Sequence, residues 1–342
     1  MRIFVCEFVT GGGFAGQILP ASLALEGKLM FSALVEDLMA LPDVEIVVAQ
    51  DPRLDLSLPG KVQIKRMENA DPWCDWQDLI LDSDATWPIA PETGGALECL
   101  SRGVLDAQRI LLGSRPESVA IAASKSASAR ALAQAGIAVV PCYTPDSAPR
   151  PPTGGWIVKP DDGAGSEETL FFTELEAAIK YMRRVPGHVI QTYVEGRPIS
   201  LAMLCRDGNC ALLSGNEQII EHADGRLKLA GIKVNALTAE RPKLANIAAG
   251  ITRVLPGLWG YVGVDLIMTK DEITVVDINP RLTTTYVGLR KLLADNIAGS
   301  VLRLVDTRRP IDFIERSEST VLVDLRNSEP APTLAALTPG YV

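Results

Sequence analysis

The chain has 342 residues, of which 47% are hydrophobic and 22% charged, so we expect a globular protein with a large core divided into two or three units. A net charge of −9 without a basic cluster argues against a nucleic-acid partner, and no apolar run is long enough to predict a membrane span. The six cysteines show no C-x-x-C spacing, which favours reduced thiols in a cytoplasmic protein.

The first 115 residues alternate between predicted strands and helices. Residues 1–10 predict a buried first strand. Further strands are predicted at 46–49, 79–82 and 110–112, a loop at 84–92, and helices at 30–41, 93–103 and 104–108. Alternating βα units predict a parallel sheet covered by helices on both faces, as in a Rossmann-like domain.

Three glycines, Gly11, Gly12 and Gly13, follow the first predicted strand directly. Together with Gly16 they approach the G-x-G-x-x-G fingerprint of dinucleotide sites, and Asp51 follows the second strand where such sites carry an acid. Two interpretations stay open. The unit could serve a nicotinamide-dependent oxidoreductase, or the backbone N–H groups of the loop could meet a substrate carboxylate.

A lysine and a glycine-rich loop mark the middle of the chain. Residues 124–136 predict a helix with a serine cap, and a predicted strand at 156–160 carries Lys159 at its end. The loop 161–166 follows at once, and such a lysine beside backbone N–H groups suits a polyphosphate. The plainer alternative is a surface lysine next to an ordinary turn.

The later chain predicts a further mixture of elements. Strands are predicted at 139–143, 189–194, 199–205 and 210–214, helices at 175–184, 242–255 and 288–304, and a peripheral strand and tail after 310.

A β-hairpin near the C-terminal end carries the strongest chemical signal. Its strands are predicted at 262–268 and 273–278. Side chains alternate along a strand, so Ile273, Val275, Asp277 and Asn279 are expected to share one face. Carboxylate and amide oxygens at this spacing can hold magnesium, and Arg281 adds a fixed cation beside them.

The hairpin register decides whether its two acids meet. A three-residue loop at 270–272 would place Asp265 opposite Asp277, whereas a four-residue loop would turn Asp265 to the other face. The alternative is a hairpin whose acids simply face water.

The sequence VDLIMTKDEITVVDINPRLTTTY resembles the metal-binding hairpin of the ATP-grasp superfamily. The resemblance implies an α/β ATP-grasp fold behind a Rossmann-like pre-ATP-grasp domain. Its ending, together with the opening Glu-Phe-Val-Thr-Gly-Gly-Gly, resembles the tyramine–glutamate ligase subfamily of methanofuran-type cofactor synthesis. Implied domains are 1–115 (pre-ATP-grasp), 116–196 (small subdomain), 197–310 (large subdomain with the hairpin) and 311–342 (peripheral segment).

The resemblance also implies roles for individual residues. Predicted ATP-binding residues are Lys125, Lys159, Gly163, Gly165, Ser166, Gln191, Thr192 and Val194. Predicted metal ligands are Asp265, Asp277 and Asn279. Arg281 and Lys159 are expected to be catalytic, and Gly11, Gly12, Gly13, Arg281 and Thr283 to contact the substrate.

These assignments predict an ATP-dependent carboxylate–amine ligase that uses Mg²⁺ or Mn²⁺ and works through an acyl phosphate. Its expected partners are a small amino acid, glutamate by resemblance, and an aromatic amine such as tyramine or tyrosine; a homo-oligomer is left open. The alternatives are the oxidoreductase and a nucleotide-binding protein without catalysis.

Overall fold

The computed structural model describes residues 1–56, 58, 60–69, 71–144, 147, 154–163, 169–223, 226–311 and 318–326, with the backbone alone at 222–223. Gly165 and Ser166 lie outside the described residues, so their predicted contacts with ATP stay predictions. In this part of the chain no helix is long and apolar enough to cross a membrane.

The first unit is built on a parallel sheet with the order β3-β2-β1-β4-β5 among the described residues. Its strands are β1 Arg2–Glu7, β2 Glu45–Gln50, β3 Val62–Arg66, β4 Ala85–Ile89 and β5 Ile110–Leu111. Its helices are α1 Ala21–Met39, α2 Pro72–Leu81, α3 Ala96–Asp106 and α4 Pro116–Ala123. Parallel neighbours need a crossover connection, and it is helical between β1 and β2, β3 and β4, and β4 and β5, whereas β2 and β3 are joined without a helix in the described chain.

Two predictions for this unit are wrong. Residues 79–82, predicted as a strand, form the end of α2 and the turn after it, and the strand lies at Ala85–Ile89 inside the predicted loop. Pro88 tolerates this position because β5 pairs only with Ala85 and Thr86 of β4. The predicted helix at 30–41 begins nine residues earlier, at Ala21, directly after Pro20.

The second unit is a larger mixed sheet with the order β14-β13-β10-β11-β12-β8-β7-β9-β6 within the described residues, and β15 pairs with β12. Its strands are β6 Cys142–Tyr143, β7 Trp156–Pro160, β8 Leu170–Phe172, β9 His188–Thr192, β10 Arg197–Arg206, β11 Asn209–Ala223, β12 Arg226–Val234, β13 Gly260–Met268, β14 Ile273–Asn279 and β15 Val321–Asp324. Its helices are α5 Lys125–Gln134, α6 Leu175–Met182, α7 Arg241–Val254, α8 Thr285–Leu289 and α9 Ile297–Arg303.

Within the described residues, this sheet has two halves that meet at a short pairing between β8 and β12. Strands β6 to β9 form a small lobe with α6, and β10 to β15 form a large lobe. In the described chain, β12 pairs with β8 at Arg226 and Leu170 alone. The predicted helix at 288–304 is interrupted, because Asn296 starts α9 by accepting a hydrogen bond from the backbone N–H of Gly299.

One hydrophobic cluster joins the first unit to the large lobe. It combines side chains of α1, β1 and β2 with side chains of β12, β15, α8 and α9. Val323 and Leu325, from the segment predicted as peripheral, are buried in this cluster. The first unit and the large lobe, two of the three parts around the site described next, therefore share a core, whereas the small lobe has a cluster of its own.

Candidate active site

The predicted pairing of Asp265 with Asp277 is present, but the path to it differs from the prediction. Met268 pairs with Ile273, so the loop has four residues, Thr269–Glu272, where three were predicted. The register then shifts, with Leu266 opposite Val275 and Asp265 opposite Asp277. The extra residue, Val276, is a β-bulge that compensates for the longer loop.

The bulge also corrects the predicted faces of β14. Ile273 and Val275 pack in the buried cluster beneath the sheet, together with Ile278. Val276, Asp277 and Asn279 line the cavity on the opposite face. The prediction that Ile273 and Val275 share a face with the metal residues is therefore wrong, since strict alternation ends at the bulge.

The three predicted metal ligands converge on the cavity face. Asn279 Nδ2 donates to Asp265 Oδ2 at 2.9 Å, and Gln218 Nε2 donates to Asp265 Oδ1 at 2.8 Å. Burial, and then the neighbouring Asp277, raise the pKa of Asp265 to about 6. Two facing carboxylates and an amide oxygen form a donor set that fits a hard divalent cation, which would relieve their mutual repulsion.

The donor set is small for a metal site made of protein alone. Among the described residues no three His, Cys, Asp or Glu side chains cluster as metal ligands. A cation here would therefore complete its shell with water and phosphate oxygens, as magnesium does at nucleotide sites.

Two lysines face the same cavity from the small-lobe side. Lys125 is the first residue of α5, and its Nζ lies 3.4 Å from Asp277 Oδ2. Lys159 is only 7% exposed, and its Nζ has no hydrogen bond or ion pair within the described residues. Burial lowers the pKa of Lys159, nearby Asp277 opposes this change, and Lys125 adds to it. An unpaired buried ammonium that faces a cavity is suited to an anionic ligand.

Asp161, which the sequence reasoning missed, fixes the start of the glycine loop to α5. Its carboxylate accepts hydrogen bonds from Ser124 Oγ at 2.7 Å and from the backbone N–H of Ser126 at 2.8 Å. Its carbonyl oxygen accepts from the backbone N–H of Lys125 at 2.9 Å. The sequence signal was the serine pair around Lys125, which supplies polar groups that need an acceptor.

The predicted hinge residues lie along the same cavity. Gln191, Thr192 and Val194 all line it. The Gln191 Nε2 group donates to the carbonyl oxygen of Val140 and to Cys142 Sγ, both at 3.2 Å. These bonds fix the amide and leave its oxygen as an acceptor, which fits the predicted contact with an exocyclic amine.

Arg281 lies on the other side of the three predicted metal ligands from the lysines, and its guanidinium forms an ion pair with Glu92. Its Nε and Nη2 donate to the two carboxylate oxygens of Glu92 at 3.0 and 3.1 Å, and its Nη1 donates to the carbonyl oxygen of Leu282. Burial alone would lower the pKa of Arg281, but the nearby carboxylates, Glu92 first and then Glu26 and Asp265, together outweigh burial and the pKa is raised. Thr283 follows it in the cavity lining, with Tyr261 Oη 3.2 Å from Thr283 Oγ1.

One cavity of about 280 Å³, between the two lobes and the first unit, is lined by the two lysines, the three predicted metal ligands, the hinge residues, Arg281 and Thr283. Along this cavity the two lysines come first, then the Asp265–Asp277–Asn279 set, then Arg281. This order suits a polyphosphate at the lysines, a metal ion at the carboxylates and amide, and a reacting carboxyl group at the arginine. A family model described as an ATP-grasp domain matches residues 122–285, and a pre-ATP-grasp model matches residues 44–119. The chain is a member of the ATP-grasp superfamily.

Individual relatives agree with this ATP-grasp assignment. A tyramine–L-glutamate ligase from Methanocaldococcus jannaschii is 25% identical over 291 residues, 84% of this chain and 84% of that protein. An ATP-grasp superfamily structure from Archaeoglobus fulgidus covers 89% of this chain and 88% of its own, with a TM-score of 0.71 and 24% identity. The biotin carboxylase domain of a Hydrogenobacter thermophilus 2-oxoglutarate carboxylase, solved with MgADP, covers 93% and 71%, with a TM-score of 0.66 and 12% identity. The predicted ATP-grasp fold is confirmed.

The glycine loop of the pre-ATP-grasp domain does not line the cavity. An added Cβ at Gly13 would lie 2.4 Å from the Phe8 ring, and one at Gly12 would lie 3.1 Å from Met67. The carbonyl oxygen of Gly11 accepts a hydrogen bond from the Trp76 indole. Close packing therefore explains these glycines, and their contact with substrate stays a prediction.

The acid expected of a dinucleotide site is already engaged. Asp51 accepts hydrogen bonds from Arg53 Nε at 2.9 Å and Nη2 at 2.6 Å. Arg53 also donates to the carbonyl oxygens of Phe14 and Gln17. The pair thus fastens the outer part of the glycine loop, and Asp51 has a structural partner in place of a ribose hydroxyl.

Proposed function

We propose that this protein is an ATP- and magnesium-dependent carboxylate–amine ligase that forms an amide through an acyl phosphate. The observation that carries the proposal is the convergence of Lys125 and Lys159, the Asp265–Asp277–Asn279 set and Arg281 on one cavity. Manganese would suit the same oxygen donors. The ligase name of the methanogen relative supports the same reaction class.

Each group has a distinct task in this proposal. Lys125 and Lys159 neutralise phosphate oxygens, and the buried position of Lys159 strengthens that interaction. Asp265, Asp277 and Asn279 would hold a divalent cation, which supplies charge neutralisation to the transferring phosphoryl group. Arg281 presents its remaining N–H groups to the carboxyl group that accepts the phosphoryl.

The finer proposal concerns the substrates. We propose glutamate as the carboxyl donor and an aromatic amine, tyramine or tyrosine, as the acceptor, in methanofuran- or methylofuran-type cofactor synthesis. The support is the relative's name at 25% identity over most of both chains.

A phosphate-release screen of amino acids paired with amines, with ATP and Mg²⁺, tests the proposal. Phosphate release that needs both substrates, with stoichiometric ADP, is expected. Lys159→Ala should abolish most of it without lowering the melting temperature, whereas the exposed Lys180→Ala should match the parent protein.

Nucleotide binding provides the contrasting measurement. ATP with magnesium should raise the melting temperature by mass action and NADH should not. A shift with NADH alone would favour the oxidoreductase. ATP binding without phosphate release from any pair would favour a nucleotide-binding protein without catalysis.

A further inference from the structure

The cavity carries opposite charges at its two ends. Lys125 and Lys159 face the end near the glycine loop. At the other end, the pre-ATP-grasp domain contributes the Glu26 side chain from α1 to the lining. A ligand that spans the cavity therefore meets cations first and carboxylates last.

Glu26 is held in place without a direct counter-ion. Thr284 Oγ1 donates to Glu26 Oε2 at 3.1 Å, and no ion pair to Glu26 occurs among the described residues. Arg281 and Lys228 act on it only through longer-range attraction, while burial raises its pKa. The guanidinium of Arg281 is turned to Glu92 instead.

Two further glutamates, Glu92 and Glu7, act on Arg281 behind this end of the cavity without lining it. Glu92 pairs with Arg281, and the Glu7 carboxylate lies against Gly27, where an added Cβ would be 2.8 Å from Glu7 Oε2. Both Glu7 and Glu26 interact with Arg281 through space. Three carboxylates therefore act on the Arg281 guanidinium, and Lys228 is a second cation that acts on Glu26, so carboxylates exceed cations by one in this set, an excess that a ligand cation would offset.

Strand β12 contributes an apolar wall to the same cavity, on either side of Lys228, which acts on Glu26 through space. Along β12, Leu227 and Leu229 line the cavity and are half-buried, whereas Arg226 and Lys228 point outward and are exposed. This is the alternation of a strand with one face on a cavity. Half-buried leucines in a cavity that also carries a carboxylate match a ligand with an apolar body and a cationic end.

We propose that Glu26 binds the ammonium group of the acceptor amine and that Leu227 and Leu229 contact its apolar body. The proposal rests on the ligase function proposed above. The carboxyl donor is a poorer occupant because an amino acid such as glutamate brings carboxylates to an end that already has an excess of them. A simple amine brings only positive charge.

Direct binding to the full-length protein tests the subsite without turnover. Isothermal titration should show tyramine binding, and 4-ethylphenol, which lacks the amine, should bind at least about tenfold more weakly. Glu26→Gln, which keeps an acceptor for Thr284, should weaken tyramine binding about 10- to 100-fold and leave 4-ethylphenol unchanged. Glu36→Gln, exposed on the same helix, is the matched control and should match the parent protein.

The apolar wall is tested by a second variant. Leu227→Ala should raise the KM for tyramine several-fold and leave the KM for ethylamine and for ATP unchanged, because only the larger body reaches the leucine. Equal changes for both amines would overturn the assignment of the wall.

The outcomes separate this proposal from the proposed function. Tyramine binding that depends on Glu26, with no phosphate release from any pair, would leave the subsite standing and overturn the ligase. Amine-dependent turnover with an unchanged tyramine affinity in Glu26→Gln would overturn the subsite alone. A raised KM for glutamate in place of tyramine would assign Glu26 to the carboxyl donor and also overturn the proposal. If Glu26→Gln does not fold, equal affinity for tyramine and 4-ethylphenol in the parent protein decides against the subsite.

Discussion

At the scale of single residues, Arg281 shows how a buried cation can be paired and still free to act. Its Nε and Nη2 each use one hydrogen on Glu92, and Nη1 uses one on the carbonyl oxygen of Leu282. A guanidinium has five N–H groups, so one remains on each terminal nitrogen. Glu92 therefore orients the fork, and the remaining hydrogens are available to a reacting oxygen.

Arg281→Lys keeps the charge but loses the fork, so its kinetics test this assignment. We expect kcat to fall about 100-fold or more, because the interaction is made mainly during phosphoryl transfer. The dissociation constant for ATP, from titration, should change little. Glu92→Gln keeps the shape of the partner and should lower kcat less. An unchanged kcat with weakened ATP binding would place Arg281 at the nucleotide.

Glu7 gives a prediction for stability rather than catalysis. Its carboxylate is 3% exposed and accepts a hydrogen bond from the backbone N–H of Thr10 at 2.6 Å. Burial raises its pKa above the usual glutamate value, more than its hydrogen bonds and Arg281 lower it. The folded state therefore binds this proton more readily than the unfolded chain, and the ionised side chain costs stability above the raised pKa.

Glu7→Gln should accordingly increase the free energy of unfolding at neutral and higher pH. The gain should shrink as the pH falls through the raised pKa of Glu7, because the native side chain then becomes neutral as well. Urea denaturation of both proteins across that pH range measures the difference. A destabilised variant at high pH would show that attraction to Arg281 outweighs the cost of burial.

At the scale of elements, local sequence predicted most strands and helices, and the exceptions have identifiable causes. Strand β4 was missed because Pro88 resembles a turn signal, and only the short partner β5 makes proline tolerable there. The early start of α1 was missed because Gly27 interrupts the helical pattern of the sequence. Glu26, which lies in this early part of the helix, was therefore not identified as a site residue. That glycine is required by the Glu7 carboxylate against it, a contact no local pattern reveals.

The hairpin shows the same limit more sharply. The meeting of Asp265 and Asp277 could be predicted, since both must face one site. The way they meet could not, because Val275 also bonds a segment distant in sequence: its N–H donates to the carbonyl oxygen of Ala138, and its carbonyl oxygen accepts from Val140, at 2.9 and 3.0 Å. The bulge at Val276 lies beside this contact.

Two changes of chain length separate the roles of bulge and loop. Deleting Val276 removes the bulge and makes the pairs Leu266–Val275 and Asp265–Asp277 consecutive, so Asp277 and Asn279 should still face the cavity and magnesium-dependent ATP binding should persist. Inserting a glycine between Lys270 and Asp271 changes the loop alone and should also leave most binding intact. Loss of binding on deletion of Val276, measured by thermal shift with ATP and Mg²⁺, would show that the site needs the bulge itself; loss on the glycine insertion would show that the loop sets the register.

At the scale of the molecule, a buried polar network links the pre-ATP-grasp domain to the end of the hairpin. Tyr286 Oη donates to Asp37 Oδ2 at 2.6 Å, and Arg290 Nε donates to Asp37 Oδ1 at 2.8 Å. Asn296 Nδ2 donates to the carbonyl oxygen of Asp37 at 2.7 Å. Helices α1, α8 and the start of α9 are therefore fastened at one acid, and the helix that carries Glu26 is fixed relative to Thr284.

Tyr286→Phe removes the hydroxyl that donates to the Asp37 carboxylate and should cost about 1.5–3 kcal/mol of unfolding free energy. Tyr261→Phe is the matched control, since its ring packs against Tyr286 at 5.6 Å but its hydroxyl meets the neutral Thr283. The control should cost about 0.5–1.5 kcal/mol in urea denaturation. A smaller loss for Tyr286→Phe than for the control would show that Arg290 alone satisfies Asp37.

The joint between the two lobes has a mechanical consequence. A sheet whose neighbouring strands are hydrogen-bonded along their full length is stiff, because bending it strains many of these hydrogen bonds at once. Here, in the described chain, the ladder between β8 and β12 narrows to the single pair of Leu170 and Arg226, while β7 and β9 are paired over five residues. Among the described residues, strand pairing is therefore dense within each lobe and sparse between them. We expect the small lobe, which carries Lys159, to rotate about this junction and widen the nucleotide cavity without breaking the strand pairing within either lobe.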